Sequence, residues 1–371
     1  MKNILFLFGT RPEAIKMAPL IKVFSKEPSF RVQVAVTAQH REMLDQVLEF
    51  FDIETHYDLN IMVPSQTLHD LTANLISRIT NEILLKDKFD IVFVQGDTTT
   101  VLAASLAAFY LKIKVAHIEA GLRSHDMLSP FPEEMNRVLT SRVATWHLCP
   151  TPTGKENLSR ENITENVFVT GNTVIDALFL GLEKIKENSE MLENEFRQID
   201  FSKKIILVTC HRRENFGEPF LEICDALLEI ADKYENEVEI VYPVHLNPNI
   251  KDIAHQKLKR KNIHLIYPLN YRELIWMMSK SSIILTDSGG IQEEAPSLGK
   301  PVLVMREVTE RTEGIDAGTA ILVGHDREKI FSYTSRLLDD VDFYIQVASA
   351  INPYGDGTAS EKIKDIIMNL E

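Results

Sequence analysis

Short runs of β-branched and aromatic residues recur along the whole chain, each followed by a polar cluster and then by an amphipathic stretch. That alternation specifies parallel strands joined by crossover helices, because consecutive parallel strands need a long connection and are covered on both faces. The first half offers strands at residues 3–8, 32–37, 91–94, 115–118 and, more weakly, 167–170. The second offers 204–209, 239–242, 263–266, 283–285 and 302–304. Five strands in each half predict two doubly wound sheets, and 371 residues exceed what one core usually organises. Residues 173–195 read as a helix that turns charge-rich toward Asp200, so the expected division is 1–172 and 173–355. A last amphipathic helix follows the turn at residues 352–357.

Composition narrows the partners. There are 40 Lys and Arg against 54 Asp and Glu, a net charge of −14. Such a chain repels nucleic acid and anionic membrane, so bound phosphate must be held by a few local cations and helix N-termini. Cys149, Cys210 and Cys224 are odd in number and lack CxxC spacing, which fits reduced core thiols better than a disulfide framework or zinc site. No HExxH or comparable spacing points to a metal. The apolar run at residues 4–8 is too short for a secretory signal, and no run reaches the ~18 residues of a membrane span. The expected setting is the cytoplasm.

The polar clusters share one position, immediately after a strand. Gly9, Thr10, Arg11, Pro12 and Glu13 follow the first; Gln95, Gly96 and Asp97 another; Glu119 to Arg123 another; Cys210, His211, Arg212 and Arg213 another; Asp287 to Gly290 another. Open parallel sheets bind ligands at the carboxyl ends of their strands, so these clusters are expected to line one interdomain crevice. Thr10 and Glu13 form a capping box with Pro12 at the first helical turn, while Arg11 and Lys16 add cations there. No GxGxxG fingerprint is present, which argues against a dinucleotide. Ser288, Gly289 and Gly290 open a helix whose N–H groups suit a diphosphate, and Glu294 suits a ribose diol. Asp97 alone reads as an N-cap, but Asp97, Glu119, Glu133 and Glu134 together suit acid and base chemistry. His211, beside Arg212 and Arg213, suits a phosphate or a proton donor, and His245 follows a neighbouring strand.

These motifs, with Gln39-His40-Arg41, His117-Ile118-Glu119-Ala120-Gly121-Leu122-Arg123 and Asn352-Pro353-Tyr354-Gly355, resemble the non-hydrolysing UDP-N-acetylglucosamine 2-epimerases over essentially the whole chain. The resemblance implies two Rossmann-like domains of the glycosyltransferase B type, with the last helix, 356–371, returning to the first domain, and a homodimer. It implies reversible conversion of UDP-N-acetylglucosamine to UDP-N-acetylmannosamine for surface polysaccharide synthesis, by anti elimination of UDP to a 2-acetamidoglucal and re-addition, with no cofactor.

By motif matching, Asp97, Glu119 and Glu133 fit the family's acid and base carboxylates, with the base itself left open. His211 joins them as a catalytic candidate. Arg11, Lys16, Arg137 and Arg311 are expected around sugar or phosphate, Ser288, Gly289 and Gly290 at the diphosphate, and Glu294 at the ribose. The stretch Pro268 to Leu274, with Leu269 and Leu274 as its named contacts, is expected to flank uracil. Thr312 departs from the family's Thr-Glu-Arg-Pro-Glu, and residues 62–66 lack an arginine that some relatives carry at an activator pocket. Gln39, His40, Arg212 and His245 could still contribute to such a pocket. The rival readings are a glycosyltransferase on the same architecture, a non-catalytic UDP-sugar sensor and a hydrolysing epimerase.

Overall fold

The computed structural model describes residues 1–38, 41–63, 65–186 and 189–370. The chain forms two units, one of Met1–Leu180 with Gly355–Glu371 and one of Gly181–Tyr354. The division falls inside the helix Thr173–Lys186 rather than at its start.

In the first unit seven strands make one sheet: β1 Lys2–Phe8, β2 Phe30–Val36, β3 Tyr57–Asp58, β4 Ile91–Gln95, β5 Lys114–Ile118, β6 Trp146–Cys149 and β7 Val167–Val169. Their order is β3-β2-β1-β4-β5-β6-β7, and every pairing is parallel. The chain builds outward from β1 in one direction, then restarts at β4 in the other. The carboxyl ends of β1 and β4 are therefore the switch point where such sheets open a crevice. Beneath it, Phe6 stacks on Phe93 at 4.8 Å and both pack on Phe24 of the first helix. The helix Ala359–Asn369 lays Ile363 and Ile367 against the helix Arg11–Ser25 and is capped from afar, since Asp176 accepts from the N–H groups of Ala359 and Ser360.

The second unit repeats the plan with β8 Lys204–Thr209, β9 Val238–Pro243, β10 Ile263–Ile266, β11 Ile283–Thr286, β12 Val302–Val304 and β13 Ala320–Leu322, ordered β10-β9-β8-β11-β12-β13 and parallel throughout. Its switch point lies at β8 and β11. Both units are thus α/β with Rossmann-like sheets, as the alternation of runs implies, but they hold seven and six strands rather than five and five. The three additional strands are short edge or near-edge elements. β3 has two residues and β13 three, while in β6 Trp146 and His147 interrupt the aliphatic signal.

The three cysteines are free and buried, and burial pushes the Cys149 and Cys224 thiols up to about 12. Among the described residues no helix is long and apolar enough to cross a membrane.

Candidate active site

At the first switch point the turn after β1 is built by Glu13. Its carboxylate accepts from the N–H groups of Gly9 at 3.0 Å and Thr10 at 2.7 Å, the reach-back half of the capping box. Its other oxygen accepts from the Thr98 hydroxyl at 2.8 Å, tying the loop after β1 to the loop after β4. Burial pushes the Glu13 carboxyl up against the pull of these donors. Glu13 is therefore a strut, and it sets the first helix so that Arg11 and Lys16 lie on its opening turns.

Lys16 donates to Glu119 at 2.5 Å, and Gln95 donates to the other Glu119 oxygen. Glu119 leaves β5 with φ +64°, a left-handed conformation that strains a residue carrying a Cβ. One strand over, Asp97 accepts from Arg137 at 2.5 Å, and Asn136 holds the Asp97 carbonyl. The buried His117 donates from Nε2 to the Gly96 carbonyl at 2.7 Å; burial holds its pKa at about 4, so it is neutral at pH 7 and has a single N–H to give. Glu133 and Glu134 separate in role. Glu134 is buried, accepts from the N–H groups of Ser124 and His125 and pairs with Arg137, which makes it scaffold, whereas Glu133 is half-buried at the start of the helix Glu133–Val143. Within this unit Arg11, Lys16, Asp97, Glu119, Glu133 and Arg137 all belong to the carboxyl side of the sheet, on its loops or on the helices after them.

The second switch point is organised by Asp287, directly after β11. One carboxylate oxygen accepts from the N–H groups of His211 and Arg212, each at 2.8 Å, and from Asn215 at 3.1 Å. The other lies 3.1 Å from His211 Nδ1. Burial would raise this carboxyl, but the His211 ring and the backbone donors outweigh it and hold it below its usual range. An imidazole fixed through Nδ1 presents Nε2 outward, the arrangement used to hold an anion or pass a proton. His211 also stacks on His245 with centroids 6.0 Å apart. Arg212 returns a bond from Nε to the Asp287 carbonyl.

Ser288 caps the helix Gly289–Glu294, and its N–H is anchored on Thr286 Oγ1 at 3.0 Å. The Arg311 guanidinium covers Gly289 so closely that a Cβ there would meet it at 3.2 Å, and Glu293 fixes Arg311 at 3.0 Å. A helix N-terminus with a guanidinium over it suits an anion in both geometry and charge. Glu294, buried one turn on, accepts from the Tyr271 hydroxyl at 2.9 Å. Tyr271 opens the helix that carries Leu274, and Leu269 precedes it in the loop after β10. Of the activator candidates, Gln39 and His40 lie outside the described residues, while Arg212 and His245 flank His211.

Several partners escape a motif reading. Gln95 and Glu293 fall inside the motifs without a role being read for them, Tyr271 looks like a core aromatic, and Asn215 looks like an ordinary polar residue. Their position in a cluster or within a few residues of one is the signal that could have raised them. Among the described residues no group of three His, Cys, Asp or Glu could hold a metal ion.

A family model described as UDP-N-acetylglucosamine 2-epimerase matches residues 22–368. The Escherichia coli K12 protein of that name is 52% identical over 373 residues, covering 99% of this chain and 98% of its own. The one from Campylobacter jejuni is 52% identical over 377 residues, with the same coverage. The crystal structure of UDP-GlcNAc 2-epimerase from Neisseria meningitidis bound to UDP-GlcNAc superposes with a TM-score of 0.90 at 50% identity, over 99% of this chain and 100% of that one. The Methanocaldococcus jannaschii enzyme in complex with UDP-GlcNAc and UDP gives 0.80 at 36% identity, over 99% of each chain.

Proposed function

Since the chain belongs to the UDP-N-acetylglucosamine 2-epimerase family, we propose that it interconverts UDP-N-acetylglucosamine and UDP-N-acetylmannosamine by eliminating UDP and adding it back. The hydrogen on carbon 2 has no neighbouring carbonyl to acidify it, so direct removal is closed. When the bond from carbon 1 to the diphosphate breaks, its electron pair leaves with UDP and positive charge builds at carbon 1. A base then takes the proton from carbon 2, and the C–H pair becomes the double bond of a 2-acetamidoglucal. In the return, a proton is added to carbon 2 from the opposite face and the diphosphate oxygen rebonds to carbon 1. Nothing is oxidised or reduced overall.

The observation that carries this reading is the pair of carboxylates, Asp97 and Glu119, at the ends of adjacent strands, each held by its own cation. Two acid–base groups at the carboxyl end of one sheet are what inversion with proton return demands. Asp97, Glu119 and Glu133 share the proton transfers, with Arg11, Lys16 and Arg137 around the sugar. The second unit takes UDP: Ser288, Gly289, Gly290 and Arg311 at the diphosphate, His211 through Nε2 on the departing oxygens, Glu294 on the ribose, and Leu269 and Leu274 beside uracil. Arg212 and His245 contribute to an activator site, for which sigmoidal kinetics from UDP-N-acetylmannosamine, relieved by traces of UDP-N-acetylglucosamine, are expected; hyperbolic kinetics would remove it. The same reading takes the protein as a cytoplasmic homodimer supplying surface polysaccharide synthesis.

Incubation with UDP-N-acetylglucosamine in heavy water tests the reaction. Deuterium at carbon 2 together with the manno isomer is expected. Transfer to an added acceptor would favour a glycosyltransferase, free N-acetylmannosamine a hydrolysing enzyme, and unchanged substrate a sensor.

A further inference from the structure

We infer that Gln95 is a positioning residue for the epimerisation, setting the orientation of the Glu119 carboxylate. The inference rests on the proposed part of Glu119 in proton transfer. Gln95 is the last residue of β4, 2% exposed, and is in register with Ile118, the residue before Glu119. The ladder runs one step further, with the Gly96 N–H donating to the Ile118 carbonyl at 3.1 Å. At Glu119 the backbone turns into the left-handed region, and the carboxylate packs over Gly96, where even a Cβ would lie 3.7 Å from Oε2. The backbone conformation aims this side chain, and its two donors fix it: Lys16 on Oε1 and Gln95 on Oε2.

These donors do different things. The ammonium supplies charge as well as a hydrogen bond. The amide supplies direction without charge. It must present its NH2, because an ionised carboxylate only accepts, and it leaves the remaining lone pairs of both oxygens open to a proton. Asp97 lies two residues after Gln95, in the turn whose Gly96 carbonyl is held by His117. Gln95 therefore fixes one carboxylate from the strand whose next turn carries the other, which is how a supporting side chain holds reacting groups to sub-ångström tolerance.

The test uses the full-length enzyme and three variants. Gln95→Met keeps length and volume but has no donor, Gln95→His keeps an N–H donor, and Glu119→Gln removes the proposed acid–base group. Gln95→Met is expected to lower kcat and deuterium incorporation at carbon 2 together by roughly 10- to 100-fold, while KM and the Kd for UDP stay within about threefold. Gln95→His is expected to recover most of the rate. Wild-type turnover in Gln95→Met overturns the inference, as does a loss in which the Kd for UDP weakens equally and Gln95→His recovers nothing. If Gln95→Met does not fold, Gln95→Leu, likewise apolar and without a donor, takes its place under the same criteria. If Glu119→Gln exchanges deuterium like wild type, the role of Glu119 fails and the inference falls with it; if Glu119→Gln is inactive while Gln95→Met is normal, only the inference fails.

Discussion

Two kinds of buried titratable residue weaken this protein as the pH falls, each over its own range. Asp287 stays ionised because the His211 ring and the backbone donors outweigh burial. Its contribution is present above the unfolded carboxyl value, near pH 4, and is lost as pH falls through the lower folded value. Asp287→Ala strands those donors, so chemical denaturation at pH 7 should show a loss of about 2–3 kcal/mol. His117 and His147 are buried neutral, with pKa values lowered by burial to about 4. Unfolding lets them charge first, so the stability they confer is complete above about pH 6.5 and declines toward pH 4. A folded His117→Gln variant should take up about one proton fewer on unfolding at pH 5, measured from the pH dependence of its denaturation midpoint. A full proton difference requires the histidine to be protonated only after unfolding. At this scale the sequence was informative about the residues just beyond a strand and silent about those that close one. Glu119, Asp97, His211 and Ser288 announce themselves as polar residues after apolar runs. Gln95 stands in the same cluster as Asp97, but its role is not legible there, because a residue closing a buried strand looks the same whether it packs or donates.

Among the elements, legibility tracked length and purity of pattern. Strands rich in Val and Ile stood out, even the three-residue β7 and β12, whereas the two-residue β3, the Val-free β13 and the His- and Trp-bearing β6 did not separate from a loop. The helix Ala359–Asn369 was legible as amphipathic, yet its cap was not: Asp176 lies 183 residues earlier than Ala359. Replacing Asp176 by Ala should cost about 1–2 kcal/mol in urea unfolding, the usual effect of a lost cap. Ile363 is fully buried on that helix, so Ile363→Ala should cost about 2–5 kcal/mol and lower the midpoint further. If both substitutions leave the midpoint unchanged, the helix does not stabilise the first unit.

For the whole molecule, the alternation of runs fixed the class of fold and the strand order gave each unit a switch point, but its division into Met1–Leu180 with Gly355–Glu371 and Gly181–Tyr354 depends on contacts between distant segments that periodicity cannot express. Gly355 returns close to Gly171 and Asn172, within 3.6 Å of where its Cβ would stand. A fragment of residues 1–180 should therefore be less heat-stable than the same fragment joined through a short linker to 355–371, by several degrees in Tm. Equal melting would show that the returning segment adds nothing. The order of synthesis acquires a meaning from this discontinuity. The second unit is one uninterrupted stretch and can mature as it leaves the ribosome, whereas the first must wait, its hydrophobic flank open, until the segment that covers it has been translated. A nascent chain stalled before residue 355 would thus be the form most in need of a chaperone.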